Sequence, residues 1–448
     1  MNLETHPHPG IALVFDPAAG VDFADQTRGL SEFLKDILGK PVCNRGGSIS
    51  GVRGRLSGRG GLGPDGGRGV NWGGPMDPKV ILETARLREE ISAIEALMLM
   101  QEGDALLPEL FETADLLNRR IHGGAVTYVR SKQIHYTNVC RAECAFCPFW
   151  RKKGQRGAFT LGVGDILRQI RDAGAIRQIE LQGGLHPDLS LPYFIEILRT
   201  VKEEYPNLHV HGFSPSEIYF IAKRSRTTPY DVLKRFRSAW LDSLSGDSAD
   251  ILNDKLRKKL APDKLRTNDW IDILRTAHRL GLPTTATVLF GHVEDEIHIS
   301  EHLDIIKSIQ RETGGIVAFE PIPFLPANTE LSHDRRFKAP VGVNHVLKLI
   351  AISRIFYART IRTIQADWTK LGLATLLRSL DAGVNDLGPL AVDATEIRSP
   401  EVNGKLSIPV SVLRTMLHKA GKNPVEREPW SSRSMIKVKP RVEEPVLV

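Results

Sequence analysis

Cysteine is scarce in this chain, with four in 448 residues, and three of them fall within Cys140–Cys147. That usage excludes a disulfide scaffold and predicts a reducing, cytoplasmic setting. No apolar run reaches about 18 residues, which excludes a membrane-spanning helix. The N-terminus lacks a basic segment followed by an apolar core, so no secretory signal is expected. Charge of one sign is also short: the net +7 is spread along the chain and points to no partner. The remaining composition, 41% hydrophobic and 25% charged, is ordinary for a globular protein. The length permits two or three domains, or one large α/β barrel with extensions.

The chemistry gathers in Ile134–Arg151, which sets Cys140, Cys144 and Cys147 in a C-x3-C-x2-C run with Phe146 before the last cysteine. Three thiolates at this spacing can ligate three irons of a cubic iron–sulfur cluster. The fourth iron is left without a protein ligand and open to a chelating small molecule. The competing readings are half a zinc site, which needs a fourth Cys or His, and a redox C-x-x-C pair. Cys43 lies far upstream in glycine-rich chain, and His135, five residues before the run, is a poor fourth ligand.

Four stretches follow from composition and periodicity. Residues 1–75 are expected to be disordered, because Gly46–Gly74 holds 13 glycines in 29 residues and buries too little apolar surface to offset its ordering entropy. An Arg-Gly RNA-binding tail is the rival reading, but apart from Trp72 it lacks aromatics on which bases could stack. Residues 76–124 read as a preface of two helices, one through Leu82–Leu99 and one through Leu106–Ile121, leading into Val126–Val129. Residues 125–399 alternate short strands with amphipathic helices. Strands are expected at Gln133–Tyr136, Gln178–Gln182, His209–Phe213, Trp240–Ser243, Thr285–Phe290, Val317–Ile322, Arg362–Ala366 and Val384–Leu387. Eight alternations fit a parallel (β/α) TIM-like barrel, with its chemistry at the C-terminal strand ends. Residues 400–448 are a C-terminal extension, a helix over Pro409–Ala420 and a frayed tail.

Each strand end carries a motif. Gly183 and Gly184 in LQGGLHP leave backbone bare for close approach of a ligand. His209 and His211 share a strand face and are as readily structural as catalytic. Ser214 and Glu217 spell a capping box, with Glu217 open to a further role. Asp247 and Asp250 can accept hydrogen bonds from ribose hydroxyls or simply favour a helix's first turn, and Arg257 can pair with a carboxylate. His292 and Glu294 close the fifth strand, and Glu320 points into the barrel or its mouth. Trp368, Lys370 and Asn385 end the last two strands as wall and polar contacts.

The order YTNVC…C…C, LQGGLHP, HVHGFSPSE, KLRTNDWIDILRTAH, TVLFGHVE, ETGG and NDLG, over about residues 80–430, resembles the radical S-adenosylmethionine (SAM) enzymes. The likeness is to the branch that makes deazaflavin (FO) or the futalosine intermediates of menaquinone synthesis. Val126–Val129, the DSLSGDSADIL stretch and WTKLG at Trp368–Gly372 favour the tyrosine-cleaving FO synthase members. The resemblance implies a [4Fe–4S] cluster on Cys140, Cys144 and Cys147, and SAM against Phe146, Gly183, Gly184, Ser214, Glu217, Asp250 and Arg257. It implies His292, Glu294 and Lys370 as catalytic groups. The implied reaction forms a deoxyadenosyl radical, splits L-tyrosine and moves its hydroxybenzyl fragment to a ribitylaminouracil. A flavodoxin or ferredoxin reductant and the other FO synthase subunit are the implied partners, with no membrane or nucleic acid. Departures from the pattern are His135, Gly212, Asp247, Asp250, Ile316 and Asp393-Ala394, the last in place of paired glutamates. They leave a futalosine-type enzyme or a paralogue with another substrate as the alternatives.

Overall fold

The structure is a computed structural model that describes residues 77–337, 339–391 and 409–435. The glycine-rich segment, Cys43 and Asp393-Ala394 lie outside the described residues. The preface is three helices: α1 (Pro78–Arg88), α2 (Ala93–Gln101) and α3 (Leu107–His122). The single helix expected through Leu82–Leu99 is broken, because Glu89 turns into the left-handed region at φ 56°. Ser92 then caps α2, accepting from the Glu95 amide at 3.2 Å while Glu95 accepts from the Ser92 amide at 2.7 Å. Leu87 and Ile94, which completed the apparent periodicity, are 86% and 71% exposed.

After the preface come β1 (Ala125–Thr137), α4 (Val163–Asp172), β2 (Gln178–Gly183), α5 (Leu191–Glu204), β3 (His209–Gly212), α6 (Pro215–Arg224), α7 (Pro229–Ser238), α8 (Asp254–Leu260) and α9 (Thr267–Arg279). Then follow β4 (Thr284–Phe290), α10 (Glu296–Thr313), β5 (Ile316–Pro323), α11 (Val343–Tyr357), β6 (Thr363–Ile364), α12 (Trp368–Leu371), α13 (Leu373–Ser379), β7 (Asp386–Ala391), α14 (Val410–Lys419) and β8 (Asn423–Glu426). Val126–Val129 and Gln133–Tyr136, expected as separate runs, form the one strand β1. The strand expected over Val384–Leu387 begins two residues later.

All pairings between named strands are parallel. One sheet runs β3-β2-β1-β7, with β8 against the start of β1, and the other runs β4-β5-β6. Parallel bridges join them at His211–Ser243, Leu244–Thr284 and Gln365–Asp386, so the strands follow one another around a ring. The strand expected at Trp240–Ser243 is reduced to these bridges. Trp240 sits at φ 66°, and Asp242 Oδ2 takes the Val210 amide at 2.8 Å that a ladder carbonyl would otherwise accept.

Alternation along the strands sets the layers. Ile134, Tyr136, Ile179 and Leu181 are buried, each aliphatic side chain contributing about 1.5–3 kcal/mol. Gln133, His135, Glu180 and Gln182 alternate with them and line the barrel interior. The preface packs on the outer helices: α1 meets α3, α2 meets α10, and α2 and α3 meet α11. Lys307 of α10, 3% exposed, donates to Ile91 O at 2.9 Å and lies over the Phe356 ring. Among the described residues no helix is long and apolar enough to cross a membrane.

Candidate active site

The cysteine run is the loop that leaves β1. It is anchored by Cys140 N–H to Arg151 O (3.1 Å), Arg151 N–H to Asn138 O (2.9 Å), and Ala145 N–H to Leu260 O (2.9 Å). Cys147 N–H and the Trp150 indole both donate to Cys144 O, at 3.0 and 3.2 Å, curling the loop back on itself. Cys140, Cys144 and Cys147 are free thiols sharing one apolar patch with Ala142, Leu185, Ala261, Phe146 and Phe220. Burial pushes the Cys144 and Cys147 thiols up, so thiolates there need a cation beside them. Iron supplies one, and three soft sulfur donors in one loop fit a cluster corner. Among the described residues no cage of three or more His, Cys, Asp or Glu is already drawn together. The ligand assignment therefore rests on this loop and its spacing.

The glycine pair at the end of β2 is held against this loop. A Cβ on Gly184 would meet Val139 O and lie 2.8 Å from Cys140 Cβ, and one on Gly183 would lie 2.5 Å from the Tyr136 ring. Glu217 reaches in from α6. It accepts from the Gly183 amide (3.1 Å), the Tyr136 hydroxyl (2.6 Å), and the Ser214 amide and hydroxyl (2.6 and 2.7 Å). Burial pushes its carboxyl up to about 7, against those hydrogen bonds. Ser214 caps α6 as its spacing predicted.

Beside the loop opens a cavity of about 1070 Å³. Its walls include Phe146, Cys147 and Phe149 from the loop, Asp247 and Asp250 after β3, and Glu320, Trp368 and Lys370 on the opposite side. His135 lines it as well, tilted against Phe149 at 4.6 Å and held down at about 4 by burial. Asp250 bonds Lys264 Nζ at 2.8 and 2.9 Å and pairs with Arg257 at 3.5 Å. Burial opposes its charge, but Lys264 and Arg257 outweigh burial and hold the carboxyl below its usual range. Arg257 is 2% exposed and does not line the cavity; it donates to the carbonyls of Ser248, Ala249 and Leu265 and ties up the loop. Asp247 accepts from Gln182 Nε2 at 2.6 Å.

Lys370 pairs with Glu320 at 3.2 Å and Asp367 at 3.6 Å. Burial pushes Glu320 up to about 7 although Lys370 opposes it. His292 and Glu294 are not in the lining. They bond each other at 2.8 Å, Glu294 takes the His292 amide at 3.0 Å and the Gly291 amide, and His292 sits edge-on behind the cavity residue Phe324. Asn385 likewise turns away, accepting from Ile364 N–H at 2.9 Å and from Arg354 at 2.5 Å.

Sequence reading missed Tyr136, Lys264, Gln178 and Glu180. The period-two run Gln178-Ile-Glu180-Leu-Gln182 held the signal for two of them, since its polar positions all line the cavity. Acidic side chains outnumber cationic ones in the lining, where the lysines are Lys132 and Lys370. Such a cavity suits a cationic or polyhydroxyl ligand better than a phosphate.

A model of the radical SAM superfamily matches residues 134–306, and one of the CofH/MqnC C-terminal region matches residues 313–430. The chain is 36% identical over 357 residues to a protein of Methanocaldococcus jannaschii named 5-amino-6-(D-ribitylamino)uracil–L-tyrosine 4-hydroxyphenyl transferase, covering 79% of this chain and 98% of that one. A protein of the same name from Archaeoglobus fulgidus is 36% identical over 343 residues, covering 75% and 98%. One from Methanosarcina acetivorans is 38% identical over 325 residues, covering 71% and 85%. Among solved structures, methylornithine synthase superposes with a TM-score of 0.61 at 16% identity, over 77% of this chain and 97% of that one. The [FeFe]-hydrogenase maturase HydG gives 0.61 at 17% identity, over 78% and 76%.

Proposed function

Because this chain belongs to the radical SAM superfamily, and within it to the family of 5-amino-6-(D-ribitylamino)uracil–L-tyrosine 4-hydroxyphenyl transferases, we propose that it joins the hydroxybenzyl fragment of L-tyrosine to that aminouracil. The observation that carries this reading is the continuous cavity from the cysteine loop at Phe146–Phe149 to the Glu320–Lys370 pair. SAM, bound with a [4Fe–4S] cluster, supplies the oxidising radical chemistry.

The chain's own residues bind, orient and move protons. Cys140, Cys144 and Cys147 would hold the cluster, and the Gly183-Gly184 backbone, set by Glu217 and Ser214, would lie against the cofactor's amino-acid end. Phe146 would pack on it, and Asp247 and Asp250 would accept from its ribose hydroxyls, with Arg257 and Lys264 fixing Asp250. Glu320 is placed to take or give a proton near neutral pH, worth roughly 10²–10⁴-fold in rate for a positioned group. Lys370 stays cationic beside it and fits a carboxylate or carbonyl of the substrate. His292 and Glu294, expected as catalytic groups, act from behind the wall by holding the Gly291 turn. The segment beyond the cysteine loop exposes Lys152, Lys153 and Arg156. An acidic one-electron donor of the flavodoxin or ferredoxin kind would have to compete there with Glu143 and Asp188, which pair with the two lysines at 3.2 and 2.5 Å.

The test is product analysis under anaerobic conditions. Reconstituted protein, SAM and dithionite are incubated with tyrosine, with and without the ribitylaminouracil. Tyrosine should disappear and a hydroxybenzyl adduct of the uracil should form. Deoxyadenosine without loss of tyrosine in either mixture would overturn the reading.

A further inference from the structure

Below the Glu320–Lys370 pair, the cavity ends on polar groups to which the chemistry above gives no part. Glu180 and His211 both line it, and His211 Nε2 lies 3.7 Å from Glu180 Oε2. On the other side of the ring, His211 Nδ1 is 2.7 Å from Ser243 Oγ, and the same oxygen is 2.7 Å from His209 Nε2. His209 Nδ1 then faces Asp242 Oδ2 at 4.0 Å, and Asp242 is about one-third exposed and paired with Lys202 at 2.6 Å. The series runs along the inner face of β3 beside the Ser243 bridge, from His211 to His209 two residues nearer the start of the strand. At the cavity end Gln178 donates to Glu180, while Gln178 Oε1 is buried with no partner, which leaves an acceptor for a donor group on a ligand.

We propose that Glu180, His211, Ser243 and His209 form a proton path from the cavity floor to Asp242 at the surface. It serves the N–H or O–H proton that an amino acid, phenol or pyrimidine substrate must release. The inference rests on the proposed function for its substrates and on the structure alone for its path.

A serine hydroxyl has one proton to donate and lone pairs to accept, so in the connected chain both rings carry their proton on the same kind of nitrogen. With both at Nδ1, the substrate's proton passes to Glu180 and from Glu180 to His211 Nε2. His211 Nδ1–H moves to Ser243 Oγ, the serine's own proton moves to His209 Nε2, and His209 Nδ1–H leaves to Asp242 or water. One proton enters, one leaves, and both rings end as Nε2–H. The gaps of 3.7 and 4.0 Å exceed a hydrogen bond and close with about 1 Å of side-chain movement. Burial, then His211 and Lys202, hold His209 down at about 2, keeping it a neutral carrier. Burial raises Glu180 against His211 and Gln178, which makes it a better acceptor for the substrate's proton than an ordinary carboxylate. With substrates filling the mouth, this path is an exit that needs no bulk water in the cavity.

Ser243→Ala removes the bridging hydroxyl without touching charge, and Ser243→Thr restores it. In single turnovers the Ala variant should form product ~10–100-fold more slowly, with more deoxyadenosine made per product and an altered solvent deuterium isotope effect. The Thr variant should recover to within about threefold. An Ala variant with the wild-type rate and isotope effect would overturn the path, as would a Thr variant no better than Ala. A second measurement needs no substrate: ¹⁵N shifts of His209 and His211 in the full chain should show two neutral rings of matching tautomer, uncoupled by Ser243→Ala. A charged His209 or opposed tautomers would overturn the path even if tyrosine proves not to be the substrate. Failure of wild-type protein to consume tyrosine, with matched rings retained, would count against the transferase reading alone.

Discussion

Glu217 shows how much one buried carboxyl can set. Its folded value of about 7 lies above the ordinary 4.5, so the folded state holds a proton that the unfolded state has lost. Stability should therefore fall as pH rises from about 4.5 to 7 and level off above, by up to about 3 kcal/mol from this group. Tyr136→Phe removes a donor to the charged form, which raises the folded value further and deepens the high-pH plateau. Its cost should be ~1.5–3 kcal/mol at pH 8 and smaller at pH 5, read from urea unfolding at the two pH values. Gly184→Ala should displace Val139 and Cys140, so the variant should bind little iron on anaerobic reconstitution. Full iron loading there would contradict the close packing described above. The cysteine run stands out in the sequence by its spacing, and the glycine pair only because it follows that run by one βα unit. Tyr136 does not stand out, since a tyrosine under helices reads as core, and Glu180 passes for a solvent-facing strand residue although its period-two run carries the signal.

Among the elements, the β8 segment matters beyond its four residues. Arg427, just after it, pairs at 2.7 Å with Asp386, which is fully buried, and stacks 3.6 Å over Trp430 on the cavity wall. Arg427→Met strands that carboxylate with the Thr127 hydroxyl as its remaining side-chain donor, and should cost about 3–5 kcal/mol by thermal or urea unfolding. Ser92→Ala, which removes the α2 cap, should cost only about 1 kcal/mol in the same assay. The elements themselves were legible from alternation between period 2 and period 3.6. Where the reading slipped, at Glu89 and at Trp240–Ser243, a positive φ broke a pattern that composition left smooth. β8 went unseen because Asn423-Pro-Val-Glu426 has no alternation long enough to register.

For the whole molecule, iron is the first measurement. The anaerobic protein should bind close to four irons, Ala at Cys140, Cys144 or Cys147 should abolish SAM cleavage, and Cys43→Ala should retain both. A chain beginning at Met76 is expected to unfold at the same temperature as the full chain, on composition alone. A lower transition would show that the glycine-rich segment contributes to the fold. The barrel was legible as a class, but its closure was not, because closure depends on single bridges no pattern announces. That closure bears on how the protein is made. β1 receives β7 on one edge and β8 at its start, and the β8 residues arrive about 300 positions later in the chain. At ordinary ribosomal speeds the first strand waits roughly 15–60 s for its last partner. Until then its edge is open to any strand in the cell, and the nascent chain is a natural client for chaperones that shield such edges.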